Sequence, residues 1–265
     1  MENDTLTIRT AFMVVIASIL SALLIGWLII GVGMVSSETP NKFYTFLSVI
    51  IGQGFMLVPL FWFLKSRNEP ITNRLRLHPV SKNTLLSTIY FSIGLTVFSD
   101  ELDRIIQMII PQPEYINELS STLQPETVTG FVLLFMAIVI IAPIGEELLF
   151  RGFLQKFLEK HWKDVTRAIL VTSLFFAIIH MNSYWLIQIY ILGIFLGYLS
   201  WKTNSVIPSL ILHSINNGTA MLFSFTDINI GIIYLWHDHV APWIIVISSF
   251  LVVHGFRGIN HSIKK

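Results

Sequence analysis

Apolar residues in this chain run in long unbroken blocks, without the polar face that a half-buried helix or strand shows. The blocks lie at Thr10–Val35, Phe43–Leu64, Leu85–Phe98, Val128–Phe150, Ala168–His180, Tyr184–Leu199, Val206–Phe225 and Ala241–Phe256. A hydrocarbon core needs about 20 apolar residues per helical span. The blocks therefore predict an all-α fold, a polytopic transmembrane bundle of about eight spans. The third and fifth are short and are expected to extend into their flanking polar turns. The first is too long and too weakly basic at its start for a cleaved signal peptide, whose apolar core is about 7–15 residues. It is expected as a retained span. The predicted organisation is N-terminal helices with an interfacial loop over 1–126, a helical core over 127–226, and a last span with a tail over 227–265.

Charge between the blocks alternates. Lys65, Arg67, Arg74, Arg76 and Lys82 follow the second block. Asp100, Glu101, Asp103, Glu114, Glu118 and Glu126, against Arg104, follow the third. Lys156, Lys160, Lys163 and Arg167 come next, and the turn Met181–Ser183 is uncharged. Lys202, then Asp227 and Asp238, then Arg257, Lys264 and Lys265 complete the series. The excess of Lys and Arg on cytoplasmic loops places both termini in the cytoplasm, which an even number of spans satisfies. The proline-bearing stretch Asp100–Glu126 is weakly amphipathic and reads as an interfacial helix and loop outside the membrane rather than a substrate lid.

Composition agrees. Hydrophobic residues are 54% of 265 and charged residues only 12%, about half the share in a soluble domain. Mean hydropathy is +0.70. So few charges cannot solvate a water-facing exterior, and disorder is excluded because disordered chains are polar. A net charge of +1 gives no nucleic-acid surface, and zero cysteines leave no thiol chemistry. The expected setting is the cell membrane, crossed many times.

Against this background three polar groups stand out, since an ionisable residue inside a span costs roughly 2.5–3.5 kcal/mol on insertion scales. Glu146, Glu147 and Arg151 follow an apolar run from Val128 to Gly145. On a helix Glu147 and Arg151 are i,i+4 neighbours and neutralise each other, whereas Glu146 points about 100° away and has no partner on its own helix. Phe176 and His180 close the fifth block, and His213 and Asn217 share a face of the seventh. Each group has a plainer reading: interfacial acids, an interfacial histidine, or hydrogen-bonding glue between helices. Depth argues for one site. Glu146 and His180 lie 17 residues either side of Lys163 (163 − 146 and 180 − 163) in the connecting turn. His213 and Asn217 lie about 15–21 Å along the seventh span at 1.5 Å per residue. A carboxylate and an imidazole can activate a water for attack on a carbonyl, while a second imidazole and a carboxamide hold the resulting oxyanion.

Glu146-Glu147-x-x-x-Arg151, Phe176-x-x-x-His180 and His213-x-x-x-Asn217 resemble the three ordered motifs of the CPBP family. That family comprises the type II CAAX prenyl endopeptidases and the bacteriocin-processing or immunity (Abi) proteins. The likeness runs over roughly Val128–Phe225, and the residues before about Thr127 carry no motif. It implies an intramembrane glutamic endopeptidase acting on a prenylated or membrane-associated peptide. Glu146 and His180 would activate water, and His213 and Asn217 would form the oxyanion site. Glu147 and Arg151 would orient the helix and the first carboxylate, and Phe176 would pack the site. Two other readings stay open: a non-catalytic immunity or partner-binding protein on the same fold, and a proton-coupled transporter. Glu146, His180 and His213 could instead ligate zinc, but no His-Glu-x-x-His helix is present and Asn217 would be an unusual ligand. No cofactor, bound metal or nucleic-acid partner is expected; the partners are a peptide or protein substrate and the bilayer, and no pattern sets an oligomeric state.

The remaining candidates read as ordinary membrane-protein features. His237 and His239 flank Asp238 in an exterior loop, and His78, His161, His254 and His261 sit at or beyond span ends with no assigned role. Trp162, Tyr184, Trp185, Trp201 and Trp243 are expected as interfacial anchors. Gly193 and Gly197 suit close helix contact. Pro143 and Pro208 precede motifs on their helices and are expected to free a carbonyl and bend the helix around a wet site.

Overall fold

A computed structural model describes residues 6–36, 42–225 and 231–262. Asp227, Lys264 and Lys265 lie outside the described residues. Every one of the eight apolar blocks is helical. In chain order the helices are α1 (Ile8–Ser36), α2 (Lys42–Ser66), α3 (Lys82–Ile109), α4 (Glu114–Leu123), α5 (Val128–Trp162), α6 (Val165–Ile179), α7 (Leu186–Thr203), α8 (Val206–Phe225) and α9 (Pro242–Ser262). The chain is an all-α membrane bundle, and α1, α2, α5, α7 and α9 are long and apolar enough to span a bilayer by length and composition alone. Of the other blocks, α6 is apolar but has only 15 residues. The third block extends, as α3, through Asp100, Glu101, Asp103 and Arg104. The seventh carries the polar set of α8.

Burial is inverted relative to a water-soluble protein. Large apolar side chains face outward, with Trp27 75% and Phe250 68% exposed, while Glu147, Arg151 and Gln155 are buried. The exterior is suited to lipid, and the polar groups are hidden from it.

Hydrogen bonds between connections sort them into two ends. At one end Arg76 meets Glu159, Lys156 reaches the Asn73 carbonyl, and Ser205 donates to the His78 carbonyl at 2.6 Å. This is the basic end. At the other, Tyr234 donates to Asp100 at 3.0 Å, Trp185 to Asp103 at 3.2 Å, and Tyr115 to Asn182 at 3.2 Å. A two-stranded hairpin, β1 (Leu235–Trp236) paired with β2 (His239–Val240), belongs to this acidic end. There Glu101 accepts from Val240 N–H at 2.7 Å and contacts His239 Nδ1 at 2.7 Å, so His239 is engaged with a carboxylate rather than simply solvated.

Close helix contacts use small residues. A Cβ on Gly255 of α9 would stand 2.5 Å from the backbone of Ser87 and Phe91 on α3, and one on Gly94 of α3 would stand 2.6 Å from the Ser248 carbonyl. Gly193 and Gly197 do bring α7 close: Cβ atoms there would lie 3.0 Å from Ser173 Cβ and 2.8 Å from Gln155 Oε1.

Two prolines inside spans leave carbonyls that a neighbouring helix completes. Pro59 cannot donate to Phe55, and Ser21 of α1 bonds that carbonyl at 2.7 Å. In α5 a π-helical stretch, Met136–Ile141, precedes Pro143, and Ala142 N–H bonds the Ala137 carbonyl five residues back. In that register the next acceptor, Ile138 O, would need residue 143, which is proline. Asn217 Nδ2 fills the gap at 3.1 Å. Pro208 behaves differently. It is the third residue of α8, where a missing N–H breaks no intrahelical bond, so it frees no carbonyl within its helix.

Candidate active site

Glu146 and Glu147 occupy a short α-helical stretch of α5, Ala142–Glu147, between the first π-helical stretch and a second, Leu148–Gln155. Widened turns of this kind change the angular spacing of successive side chains. The two carboxylates diverge. Glu147 is fully enclosed, its Oε1 3.3 Å from Arg151 Nη1 and 3.0 Å from His213 Nδ1. Glu146 Oε2 lies 3.7 Å from His213 Nε2 and is buried without a hydrogen-bond partner. The i,i+4 pair expected from the sequence is formed. Its carboxylate, however, reaches His213 on α8 rather than its neighbour Glu146.

Arg151 is completely buried. Its Nη2 donates to the Gly193 carbonyl at 3.3 Å, an approach that the missing side chain at Gly193 permits. Its guanidinium carbon sits 4.2 Å from the centre of the Phe176 ring, within cation–π range. Gln155, one turn further, donates to the Gly197 carbonyl at 2.9 Å. Sequence reasoning assigned Gln155 nothing; its signal was the i,i+4 continuation of the Glu147/Arg151 face.

Phe176 stands at the centre of the set. Its ring meets His180 edge-on at 4.7 Å, His213 at 5.9 Å and Phe150 at 5.2 Å. His180 caps the end of α6, where Met181 turns into left-handed backbone at φ 49°. His180 Nδ1 is 2.7 Å from the Phe176 carbonyl. A carbonyl only accepts, so Nδ1 carries a proton, and Nε2 is the ring nitrogen left for another partner. His213 is held the same way by a different partner: Nδ1 donates to the Glu147 carboxylate, and Nε2 faces Glu146.

Glu146, Phe176, His180, His213 and Asn217 all line a single cavity of about 320 Å³. Three helices, α5, α6 and α8, therefore bring the three motifs to one place. Glu147 and Arg151 stand behind its wall. Four polar or covering neighbours were not anticipated as part of the site. Trp185, read as an interfacial anchor, lines the cavity. Asn216, beside Asn217, does so too. Ser120 and Leu123 of α4 contribute from the segment expected to lie clear of the site. Helix α4 is present as predicted, yet it covers the cavity at the acidic end. Among the described residues no group of three or more His, Asp or Glu side chains is arranged to hold a metal ion.

Residues 128–219 match the sequence profile of the family described as Type II CAAX prenyl endopeptidase Rce1-like. The UPF0177 protein YxdF of Lactococcus lactis subsp. lactis (strain IL1403) is 28% identical over 144 residues, covering 50% of this chain and 77% of that protein. No solved structure matches the chain.

Proposed function

From an Rce1-like segment at 128–219 in a multi-pass membrane protein, we propose that this chain is an intramembrane endopeptidase of the cell membrane that hydrolyses a peptide bond with a Glu146-activated water. The observation that carries this reading is the shared cavity, into which three helices bring one buried carboxylate with no hydrogen bond to its Oε2, two imidazoles and a carboxamide. Water between Glu146 and His180 gives one proton to Glu146 Oε2, while His180 Nε2 accepts the other as a hydrogen bond and fixes the oxygen's direction. The oxygen attacks the carbonyl carbon. His213 Nε2–H and the second amide hydrogen of Asn217, whose first is held by Ile138 O, donate to the oxyanion. Glu146 then returns its proton to the leaving nitrogen as the C–N bond breaks. Glu147 fixes the orientation of the His213 ring through Nδ1, and Arg151 neutralises Glu147. The substrate is a prenylated or otherwise membrane-associated peptide.

The test is peptide hydrolysis by the purified chain in lipid nanodiscs, with cleaved termini identified by mass spectrometry in cells. Glu146→Ala and His180→Ala are expected to lower the rate by at least the 10²–10⁴-fold typical of a lost acid–base group, with folding retained. Full hydrolysis by Glu146→Ala sinks the mechanism. A protective phenotype in cells that survives Glu146→Ala, without cleavage, would instead favour a non-catalytic immunity role.

A further inference from the structure

A second cavity, of about 310 Å³, adjoins the first and shares six lining residues with it, Trp185, Ile189, Leu192, Asn216, Ala220 and Ser224. Its opposite wall is one face of α3: Thr96, Ser99, Asp100 and Asp103, spaced i, i+3, i+4 and i+7. The hydroxyls leading up to this face satisfy themselves. Thr88 bonds the Thr84 carbonyl at 2.8 Å and Ser92 the Thr88 carbonyl at 2.7 Å. Thr96 breaks the series. It is 8% exposed, and its Oγ1 has no partner although it lines the cavity.

The two carboxylates are not equivalent. Asp100 is neutralised by Arg104 at 2.9 Å and also accepts from Tyr234. Asp103 accepts from Gln107 at 2.6 Å and Trp185 at 3.2 Å, both neutral donors, and has no salt-bridge partner among the described residues. Burial pushes its carboxyl above the ordinary range. The indole of Trp185 and the ring of Phe223 complete the walls. Arg104 acts on Asp103 only at a distance, its salt bridge going to Asp100, and a partly buried carboxylate with no salt bridge of its own, beside aromatic faces and an unused hydroxyl, suits an organic cation.

Resting on the endopeptidase reading above, we propose that this cavity is a specificity subsite, centred on Asp103 and Thr96, that takes a lysine or arginine side chain of the peptide near the scissile bond. The shared wall sets the distance: one cavity holds the reacting carbonyl, and the next receives a side chain within a few residues of it. Asp103 binds the cationic head, Thr96 Oγ–H and Ser99 serve the neighbouring peptide groups, and Trp185 separates the two chambers.

The probes are internally quenched peptides with one position fixed as lysine or as its neutral isostere norleucine, presented to the full chain in nanodiscs. Wild type is expected to cleave the lysine peptides about tenfold faster, the factor that one hydrogen bond to a charged group supplies. Asp103→Asn, which keeps the acceptor for Trp185, is expected to bring the ratio close to one, and Asp103→Lys to favour glutamate at that position. Fluorescence anisotropy with Glu146→Ala protein reads the same preference without turnover. Cleavage with equal rates for lysine and norleucine overturns the subsite and leaves the endopeptidase standing. A lysine preference in binding, lost in Asp103→Asn, with no cleavage of any peptide by wild type, supports the cation site and overturns the endopeptidase. The wild-type ratio decides the matter even where the variants fail to fold.

Discussion

Arg151 is the residue on which most of the buried polar set depends. It sits within 3.3 Å of both Glu147 and the Gly193 carbonyl and lies over Phe176. Removing one partner of a buried ion pair leaves an uncompensated charge and costs about 3–5 kcal/mol. Arg151→Leu is expected to destabilise the protein by that amount, measured by reversible unfolding in mixed micelles. Arg151→Lys is expected to recover only part of it, because an ammonium has neither the planar fork nor the stacking face. A lysine variant as stable as wild type would show that only the charge matters. This pair was legible in the sequence, since i,i+4 geometry is local. It could not show that Glu147 serves His213 rather than Glu146, because that contact joins α5 to α8 across 66 residues.

At the level of the helix, the π-helical stretches of α5 decide where its side chains point. The proline was visible in the sequence; the wide turn before it, and the carbonyl it leaves at Ile138, were not. Asn217 thus has a structural duty besides the proposed one. Asn217→Ala is expected to cost about 1 kcal/mol by orphaning a part-buried carbonyl. Pro143→Ala offers that carbonyl a backbone donor, so the cost of Asn217→Ala in that background should fall by about 0.5 kcal/mol, the low end of the coupling between contacting groups. Additive effects in the double-mutant cycle would separate the two. Pro208 shows the limit of reading prolines alone: its meaning depends on where α8 begins, and in the first turn it disturbs nothing. Helix α4 shows another. Its amphipathic pattern fits an interface with lipid headgroups as well as a roof over a cavity, and only the placement of Ser120 and Leu123 distinguishes them.

For the molecule as a whole, loop charge and tertiary contact agree. The connections rich in Lys and Arg meet at one end and the acidic ones at the other, and the candidate cavity lies toward the acidic end under α4. By the positive-inside rule that end faces away from the cytoplasm, so the proposed substrate approaches from outside. The absence of cysteine makes this simple to check. In intact cells, a membrane-impermeant thiol reagent is expected to label Gln112→Cys at the acidic end and not Lys160→Cys at the basic end. Labelling of Lys160→Cys alone would invert the molecule and move the substrate to the cytoplasmic side.

Hydropathy by itself determined the helical class, the helices and the two-ended sorting of charge, because the bilayer admits few structures and each depends on local composition. The identity of the polar set was also legible, since ionisable residues in hydrocarbon are costly enough to be conspicuous. Only the tertiary structure decided which partner each of them takes. The 3.7 Å approach of Glu146 to His213, the free hydroxyl of Thr96 and the setting of Asp103 beside Trp185 depend on how the helices are rotated against one another. Close packing at Gly94 and Gly255 seats α3 against α9, and at Gly193 seats α7 against α6, contacts between residues far apart in the chain whose geometry no local pattern encodes.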